Sequence, residues 1–159
     1  MGLRTIKRRR RENKTDYKAR RILLESGIPR IVVRRTNKYY ILQAVESNEA
    51  QDKVIATVTS KELLKNGWDA KGSLKSVPAG YLTGMLMAKK LKSGKYIMDL
   101  GMARTFKGGR VFAVVKGLVD GGLDIPANEK VFPTEERLNG EHLKDDVKAM
   151  VAKVKGGLA

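Results

Sequence analysis

Positive charge is concentrated in the first quarter of this 159-residue chain. Residues 1–38 contain 14 basic and 3 acidic side chains, a net charge of +11, whereas the remaining 121 residues carry a net charge of +5. The densest stretch is the run Lys7-Arg8-Arg9-Arg10-Arg11. Adjacent like charges repel each other, and this run has no apolar side chain to bury. We therefore expect residues 1–14 to form a solvated arm that is disordered in isolation.

The composition as a whole is that of a chain with a folded core. Hydrophobic residues make up 42% of the sequence, enough for one compact domain with extensions. No apolar run approaches the roughly 18 residues of a membrane span, and no signal-peptide pattern is present, so neither a spanning segment nor secretion is expected. Cysteine is absent, which excludes disulfides, thiolate nucleophiles and cysteine-based zinc sites.

Apolar periodicity and turn residues predict alternating helices and strands after the arm. A helix is predicted over residues 15–26, with Ala19, Ile22 and Leu23 as its apolar stripe. Strands are predicted over residues 31–35, 39–45 and 53–59, the first two forming a hairpin. A short helix is predicted after a Thr59–Glu62 capping box, followed by a helix over residues 76–93, a strand over residues 96–100 and a helix over residues 111–121. The last predicted element is a helix with Leu143, Val147, Met150, Val151 and Val154 on one face.

This order of elements predicts an α/β fold. The first three strands form an antiparallel meander, and the fourth returns through a helical crossover to lie parallel to a neighbour, with helices packed on the sheet. Such a topology is ribonuclease-H-like. We divide the chain into a basic arm with the first helix (residues 1–27), an α/β core (28–125) and a C-terminal helical extension (126–159).

A net charge of +16 favours a polyanionic partner, and its distribution indicates nucleic acid. Arginine binds phosphate well because its planar guanidinium matches the phosphate oxygens. Tyrosines beside the basic residues can stack on unpaired bases, although one of Tyr39 and Tyr40 must face the core if the strand alternates. A second basic cluster, in the loop of residues 101–110, suits backbone binding but matches neither a Walker nor a GxGxxG pattern.

Other classes of function are less well supported. His142 is the only histidine, which leaves little for hydrolytic catalysis. A two-metal nuclease needs converging carboxylates, and residues 31–35, 39–45 and 54–58 contain none. We expect no enzyme activity, no metal and no cofactor. Membrane-surface attachment would need an apolar face beside the basic run, and a merely solubilising tail would not need such one-sided charge.

The chain resembles the archaeal branch of the large-subunit ribosomal protein L-eighteen family, the universal family that binds 5S ribosomal RNA. Matching segments follow in the same order over nearly the whole chain. They are Arg8-Arg9-Arg10-Arg11-Glu12, Lys14-Thr15-Asp16-Tyr17, Gly27-Ile28-Pro29-Arg30, Val33-Arg34-Arg35-Thr36-Asn37-Lys38, Tyr81-Leu82-Thr83-Gly84, Asp99-Leu100-Gly101, Lys107-Gly108-Gly109-Arg110-Val111-Phe112-Ala113, Lys116-Gly117, Asp120-Gly121-Gly122-Leu123-Asp124-Ile125-Pro126, Glu135-Glu136-Arg137 and Gly140-Glu141-His142. Thr36, Tyr39 and Phe106 depart from the residues common in that family, which are Ser, His and Pro.

The resemblance implies a structural constituent of the large subunit of the cytoplasmic ribosome, anchoring 5S rRNA in the central protuberance without catalysis. Large-subunit rRNA and neighbouring large-subunit ribosomal proteins are the further partners it implies, and no membrane. The alternative is a binding module for another structured RNA. Together, the charge map and the resemblance indicate these RNA-binding residues: Arg4, Lys7, Arg8, Arg9, Arg10, Arg11, Lys14, Tyr17, Lys18, Arg20, Arg21, Arg30, Arg34, Arg35, Asn37, Lys38, Tyr39, Arg104, Thr105, Lys107 and Arg110.

Overall fold

A computed structural model of the protein describes residues 5–49, 51–69, 72–91 and 93–158. Helices and strands alternate along the chain as the sequence predicts. The elements are α1 (Arg8–Arg11), α2 (Tyr17–Glu25), β1 (Arg30–Arg35), β2 (Tyr40–Asn48), β3 (Gln51–Thr59), a 3₁₀ helix (Ser60–Asn66), α3 (Val77–Leu91), β4 (Ile97–Asp99), α4 (Arg110–Asp120), a second 3₁₀ turn (Glu129–Val131), α5 (Glu135–Asn139) and α6 (Asp145–Leu158). Among the described residues after the arm, the elements that the sequence patterns missed are the two short ones between α4 and α6.

The arm contains one turn of helix, α1, where the sequence predicted no stable structure. The N–H of Arg11 donates to the carbonyl of Lys7 at 3.1 Å, and the N–H of Glu12 donates to the carbonyl of Arg8 at 3.0 Å. Glu12 also lies 3.8 Å from the guanidinium of Arg8 and 2.9 Å from the ammonium of Lys14. One carboxylate therefore offsets part of the repulsion within the run and lets a single turn form.

Helix α2 confirms the predicted helix but not the burial of its apolar stripe. The carboxylate of Asp16 caps its first turn by accepting from the N–H groups of Lys18 and Ala19, at 2.9 and 3.2 Å. Gly27, at φ +65°, follows its C-terminus in the left-handed region that glycine tolerates. No residue of the helix is fully buried, and Ile22 is 59% exposed. The stripe lines a groove beside β4 instead of facing the core.

The four strands form one sheet in the order β3-β2-β1-β4. The pairs β1–β2 and β2–β3 are antiparallel, while β1–β4 is parallel. This arrangement confirms the predicted meander and the predicted parallel return of the fourth strand. An irregularity in the β2–β3 register falls between Ala44 and Val45.

One face of the sheet packs against α3 and α4 to form the main core. Val33 and Leu42 are paired across β1 and β2 and are essentially buried, as is Tyr40. Because successive side chains of a strand point to opposite faces, the neighbours of Val33 in β1 point away from this core. Val33 itself therefore faces the core.

A second hydrophobic cluster lies on the other side of α3, where α5, α6 and the first 3₁₀ helix pack. Leu63, Trp68, Leu138 and Val154 are buried there. Helix α3 serves both clusters, which explains why almost its whole first half is buried. Leu143 precedes α6 and is 38% exposed, so its predicted place on the apolar face of the final helix was wrong.

Within the described part of the chain, no helix has both the length and the apolar content needed to cross a membrane.

Candidate nucleic-acid interface

Most of the predicted RNA-binding side chains lie on the surface. Arg4 falls outside the described residues. The exposed members are Lys7, Arg8, Arg9, Arg10, Arg11, Lys14, Lys18, Arg21, Arg34, Arg35, Asn37, Lys38, Arg104, Thr105, Lys107 and Arg110. Tyr17, Arg20 and Tyr39 are partly buried, and Arg30 is buried.

The arm folds back onto the start of α2. The guanidinium of Arg9 donates to the hydroxyl of Thr15 at 2.8 Å. The ammonium of Lys7 lies 4.6 Å from the centroid of the Tyr17 ring, a distance at which a cation is attracted to an aromatic face. These contacts are exposed and therefore weak, so they bias the arm towards α2 without fixing it.

A chain of ion pairs links α2 to the outer face of the sheet. The guanidinium of Arg20 lies 3.0 Å from the carboxylate of Asp52. The same carboxylate lies 2.7 Å from the guanidinium of Arg30. Arg30 also approaches Asp99 at 3.7 Å, and Asp99 pairs with Arg34 at 3.0 Å. This series of ion pairs therefore crosses the sheet from β3 through β1 to β4 and ends at the exposed guanidinium of Arg34.

Arg30 does not fit its predicted role as an RNA contact. Its side chain is only 4% exposed, and its Nη1 donates to the hydroxyl of Ser47 at 2.6 Å. A buried arginine is tolerated when carboxylates neutralise it, as Asp52 and Asp99 do here. The alternation of β1 places Arg30 on the outer face, and the carboxylates of β3 and β4 then enclose it. Arg30 is thus occupied inside the protein.

The ion pairs also set the ionisation of Asp52. Burial alone would raise its pKa, but hydrogen bonds from Ser47, Arg30 and Arg20 outweigh it and lower the pKa to about 2. Because the folded pKa lies below the unfolded value of about 3.9, this stabilisation is present above that value and is lost as the pH falls towards 2. Asp52 therefore stays charged, and keeps its arginines paired, at any physiological pH.

Arg34 is held where the arm meets the sheet. Its Nη1 donates to the carbonyl of Asp99 at 3.0 Å, while its Nη2 bonds the carboxylate of the same residue at 3.0 Å. Gly101, at φ +58°, donates its N–H to that carboxylate at 2.9 Å. A Cβ at this glycine would lie 2.8 Å from the guanidinium carbon of Arg34. The lack of a side chain at Gly101 leaves room for the guanidinium of Arg34. The side chain of Arg34 remains 45% exposed.

Two adjoining grooves run along this side of the molecule. The first, here called the arm groove, has a volume of about 400 Å³ and lies between α2 and β4. The second, here called the basic groove, has a volume of about 630 Å³ and lies between β1 and the loop of residues 101–110. Lys14, Arg34 and Leu100 line both grooves, so the two form one continuous surface.

The basic groove is lined by cations contributed from distant parts of the chain. Its positive side chains are Lys14, Arg34, Arg35, Arg104, Arg110 and Arg137. None of the described residues that line it is acidic. A concave surface of one charge sign focuses the electrostatic field and attracts polyanions such as RNA.

The tip of the β1–β2 hairpin presents the remaining predicted contacts. The hydroxyl of Thr36 accepts from the N–H groups of Lys38 and Tyr39, at 3.3 and 3.0 Å, and this closes the turn. Tyr40 faces the core and its hydroxyl donates to the carbonyl of Lys75 at 3.1 Å. Tyr39 takes the opposite face, where the ammonium of Lys61 lies 4.5 Å from its ring centroid. The prediction that one of the two tyrosines faces the core is confirmed.

Charge also surrounds Tyr40. Burial raises the pKa of its hydroxyl to about 12, although the positive charges of Arg110 and Arg35 act in the opposite direction. Both arginines line the basic groove, so the charge of that groove also acts on the buried hydroxyl of Tyr40.

The loop before α4 is held by backbone hydrogen bonds. The N–H of Gly108, at φ +69°, donates to the carbonyl of Val131 at 2.9 Å. The N–H of Gly109 donates to the carbonyl of Phe106 at 2.9 Å and closes a tight turn. The turn leaves Arg104, Thr105 and Lys107 exposed, as the sequence predicts for a backbone-binding loop.

Three relevant residues escaped the sequence-based prediction. Arg137 is an isolated cation in α5, and the hydrogen bond between Gly108 and Val131 links the segment before α5 to the loop that borders the basic groove. Asp52 and Asp99 neutralise Arg30, but Asp52 precedes the predicted third strand and ion pairing between strands leaves no local pattern.

No group of three or more histidine, aspartate or glutamate side chains able to hold a metal ion occurs among the described residues.

Comparison with known families decides the assignment. The family described as ribosomal large subunit proteins 60S L5, and 50S L18, matches residues 3–96 and 91–128. The chain belongs to this family. Its members are structural proteins of the ribosome and not enzymes.

Archaeal relatives of the family match most of the chain, and each is named large ribosomal subunit protein uL18. The protein of Caldivirga maquilingensis is 48% identical over 140 residues, which cover 86% of this chain and 67% of that protein. That of Methanoculleus marisnigri is 48% identical over 141 residues, covering 87% and 79%. That of Korarchaeum cryptofilum is 47% identical over 139 residues, covering 86% and 70%. The predicted resemblance to the archaeal branch is confirmed.

Proposed function

We propose that this chain is a structural constituent of the large ribosomal subunit that binds 5S rRNA and anchors it in the central protuberance. The observation that carries the proposal is the continuous basic surface formed by the arm and the two grooves, in a chain that belongs to a ribosomal protein family. Large-subunit rRNA and adjacent ribosomal proteins are its further partners in the cytoplasmic ribosome.

Binding is physical and not catalytic in this proposal. Each lysine or arginine that meets a phosphate releases counterions, which supplies affinity that depends on salt. The exposed arm orders against the RNA, while Arg34 and the basic groove form a preset part of the surface. Specificity comes from RNA shape, 2′-hydroxyls and unpaired bases, because the deep groove of A-form RNA is closed to side chains.

We also propose a ribonuclease-H-like topology and the division into residues 1–27, 28–125 and 126–159. The strand order β3-β2-β1-β4, with β4 parallel to β1, supports the topology. The main hydrophobic cluster supports the division, because all of its buried residues lie within 28–125. The extension contributes its buried hydrophobic residues to the second cluster, which it shares with residues of the core such as Leu63 and Leu82.

Filter binding of the full chain to 5S rRNA, with transfer RNA as competitor, tests the function. We expect 5S rRNA to remain bound at transfer RNA concentrations that displace a non-specific basic protein. If transfer RNA competes as well as unlabelled 5S rRNA does, the alternative holds, and the chain binds another structured RNA.

Limited proteolysis should distinguish the free arm from the bound arm. Trypsin should cut within residues 7–14 of the free protein, because α1 is a single exposed turn, and should cut far more slowly in the RNA complex. The protein core should be equally resistant in both states. Equal cleavage of the arm with and without RNA would contradict ordering on binding.

Paired variants of β1 should separate stability from RNA contact. Val33→Ala removes buried apolar surface and should cost roughly 1–3 kcal/mol of stability. Arg35→Ala should leave the melting temperature almost unchanged and weaken RNA binding, because its exposed guanidinium lines the basic groove. Thermal melts and binding curves of both variants provide the measurement. Equal destabilisation by Arg35→Ala, with intact binding, would place the RNA contact elsewhere.

A further inference from the structure

We infer that the basic groove holds an unpaired nucleotide of the bound RNA, with its phosphate against the groove's arginines and its base stacked on Phe106. The inference rests on the proposed function and names the RNA feature that this part of the surface recognises.

The arginines of the groove are available for a phosphate. Arg35, Arg104, Arg110 and Arg137 line it, and in the described part of the chain none of their guanidinium groups forms a hydrogen bond or an ion pair with a carboxylate. Arg34, by contrast, is already paired with Asp99. A volume of about 630 Å³ falls within the usual range for pockets that hold small ligands, so one nucleotide is a fitting occupant.

The basic groove also has exposed apolar side chains in its lining. Phe106 and Met102 line the groove and are each 55% exposed. Phosphate binding requires neither side chain, and exposing them to water is unfavourable. An aromatic ring beside several arginines is the combination that proteins use for single-stranded nucleic acid, where the ring stacks on a base and the cations hold the backbone.

The Phe106 ring is held in place before any ligand arrives. The backbone carbonyl of Phe106 accepts the hydrogen bond from the N–H of Gly109 that closes the turn. A Cβ at Gly109 would lie 3.3 Å from two atoms of the ring, so the ring packs directly against this glycine. More than half of the residue's surface remains open. Stacking on a ring that is already positioned avoids part of the entropic cost of binding.

Base pairing would hide the surface on which the ring must stack. In a continuous A-form helix each base is covered by its neighbours, and only loops, bulges and ends offer an open base face. A groove meant only for duplex phosphates would need the arginines alone. The exposed aromatic ring therefore points to an unpaired nucleotide.

Direct titration with two RNA probes tests the inference. The full chain is titrated with an oligouridine and with an RNA duplex of the same length, at one salt concentration. Phe106→Ala should weaken oligouridine binding on the order of tenfold, the reduction expected for one stacked base, and leave duplex binding unchanged. Phe106→Tyr should bind oligouridine like the parent chain, because the ring is retained.

Ile55→Ala is the matched control. Ile55 is 50% exposed, close to the value for Phe106, but lies in β3 and lines neither groove. This variant should bind both probes like the parent. Unchanged oligouridine binding in Phe106→Ala, or an equal reduction for the duplex, would overturn the inference. A separate titration with 5S rRNA reports on the proposed function, so failure of one claim is distinguishable from failure of the other.

Discussion

Deletion of residues 1–14 should weaken binding to 5S rRNA and make it less dependent on salt, while the remaining fold stays intact. Removing one phosphate-binding cation should reduce the slope of log K against log salt by about 0.7–0.9, so removing the four arginines of α1 alone should reduce it by about 3. Stability should be retained because none of the residues of α1 is buried. Filter binding over a series of salt concentrations and a thermal melt provide the measurements.

A variant that loses positive charge elsewhere separates the role of the arm from that of the net charge of the protein. Lys144, Lys148 and Lys153 are exposed residues near or within α6, far along the chain from the arm. Replacing all three by glutamine lowers the net charge but should leave the salt slope nearly unchanged, since none of them lines either groove. If the deletion keeps the parent's slope, the electrostatic contacts are made by another part of the surface.

Sequence patterns predicted the elements whose causes are local. The capping box is one case, since the N–H of Thr59 donates to the carboxylate of Glu62 at 2.8 Å and both residues lie in one turn. Alternation at the hairpin is another, because the adjacent residues Tyr39 and Tyr40 must point to opposite faces of the strand. The position of the arm followed from charge alone. In each case the determining residues lie within a few positions of one another.

Contacts between distant segments were not predictable in this way. Arg30 and Arg34 are both arginines of β1 that point to the same face of the sheet. Arg30 is nevertheless buried, because Asp52 and Asp99 approach it from β3 and β4. Arg137 reaches the basic groove only through the fold of the segment between α4 and α6. The arm, the hairpin and the loop could therefore be proposed as interface regions from the sequence, while the grooves that join them emerged only from the packing.

The crossing of α3 and α4 depends on two glycines, and Gly117→Ala should be strongly destabilising. A Cβ at Gly117 would overlap the backbone carbonyl of Tyr81, and one at Gly84 would overlap the carbonyl of Val114. Backbone atoms of a packed helix cannot rotate away as a side chain can, so the helices must separate. Overpacking of a core commonly costs 1–3 kcal/mol, and we expect about 3 kcal/mol here. For a chain of this size that lowers the melting temperature by roughly 6–12 °C.

Gly156→Ala provides the same substitution in a helix without the same contact. A Cβ at Gly156 in α6 meets no atom within 4 Å. Alanine costs less conformational entropy in a helix than glycine does, so this variant should be as stable as the parent or slightly more stable, by about 0.4–1 kcal/mol. Thermal melts of the two variants and the parent give the comparison. If Gly117→Ala melts at the parent's temperature, then α3 and α4 do not approach each other as closely as their glycines indicate, and the sheet-facing core is packed by some other arrangement.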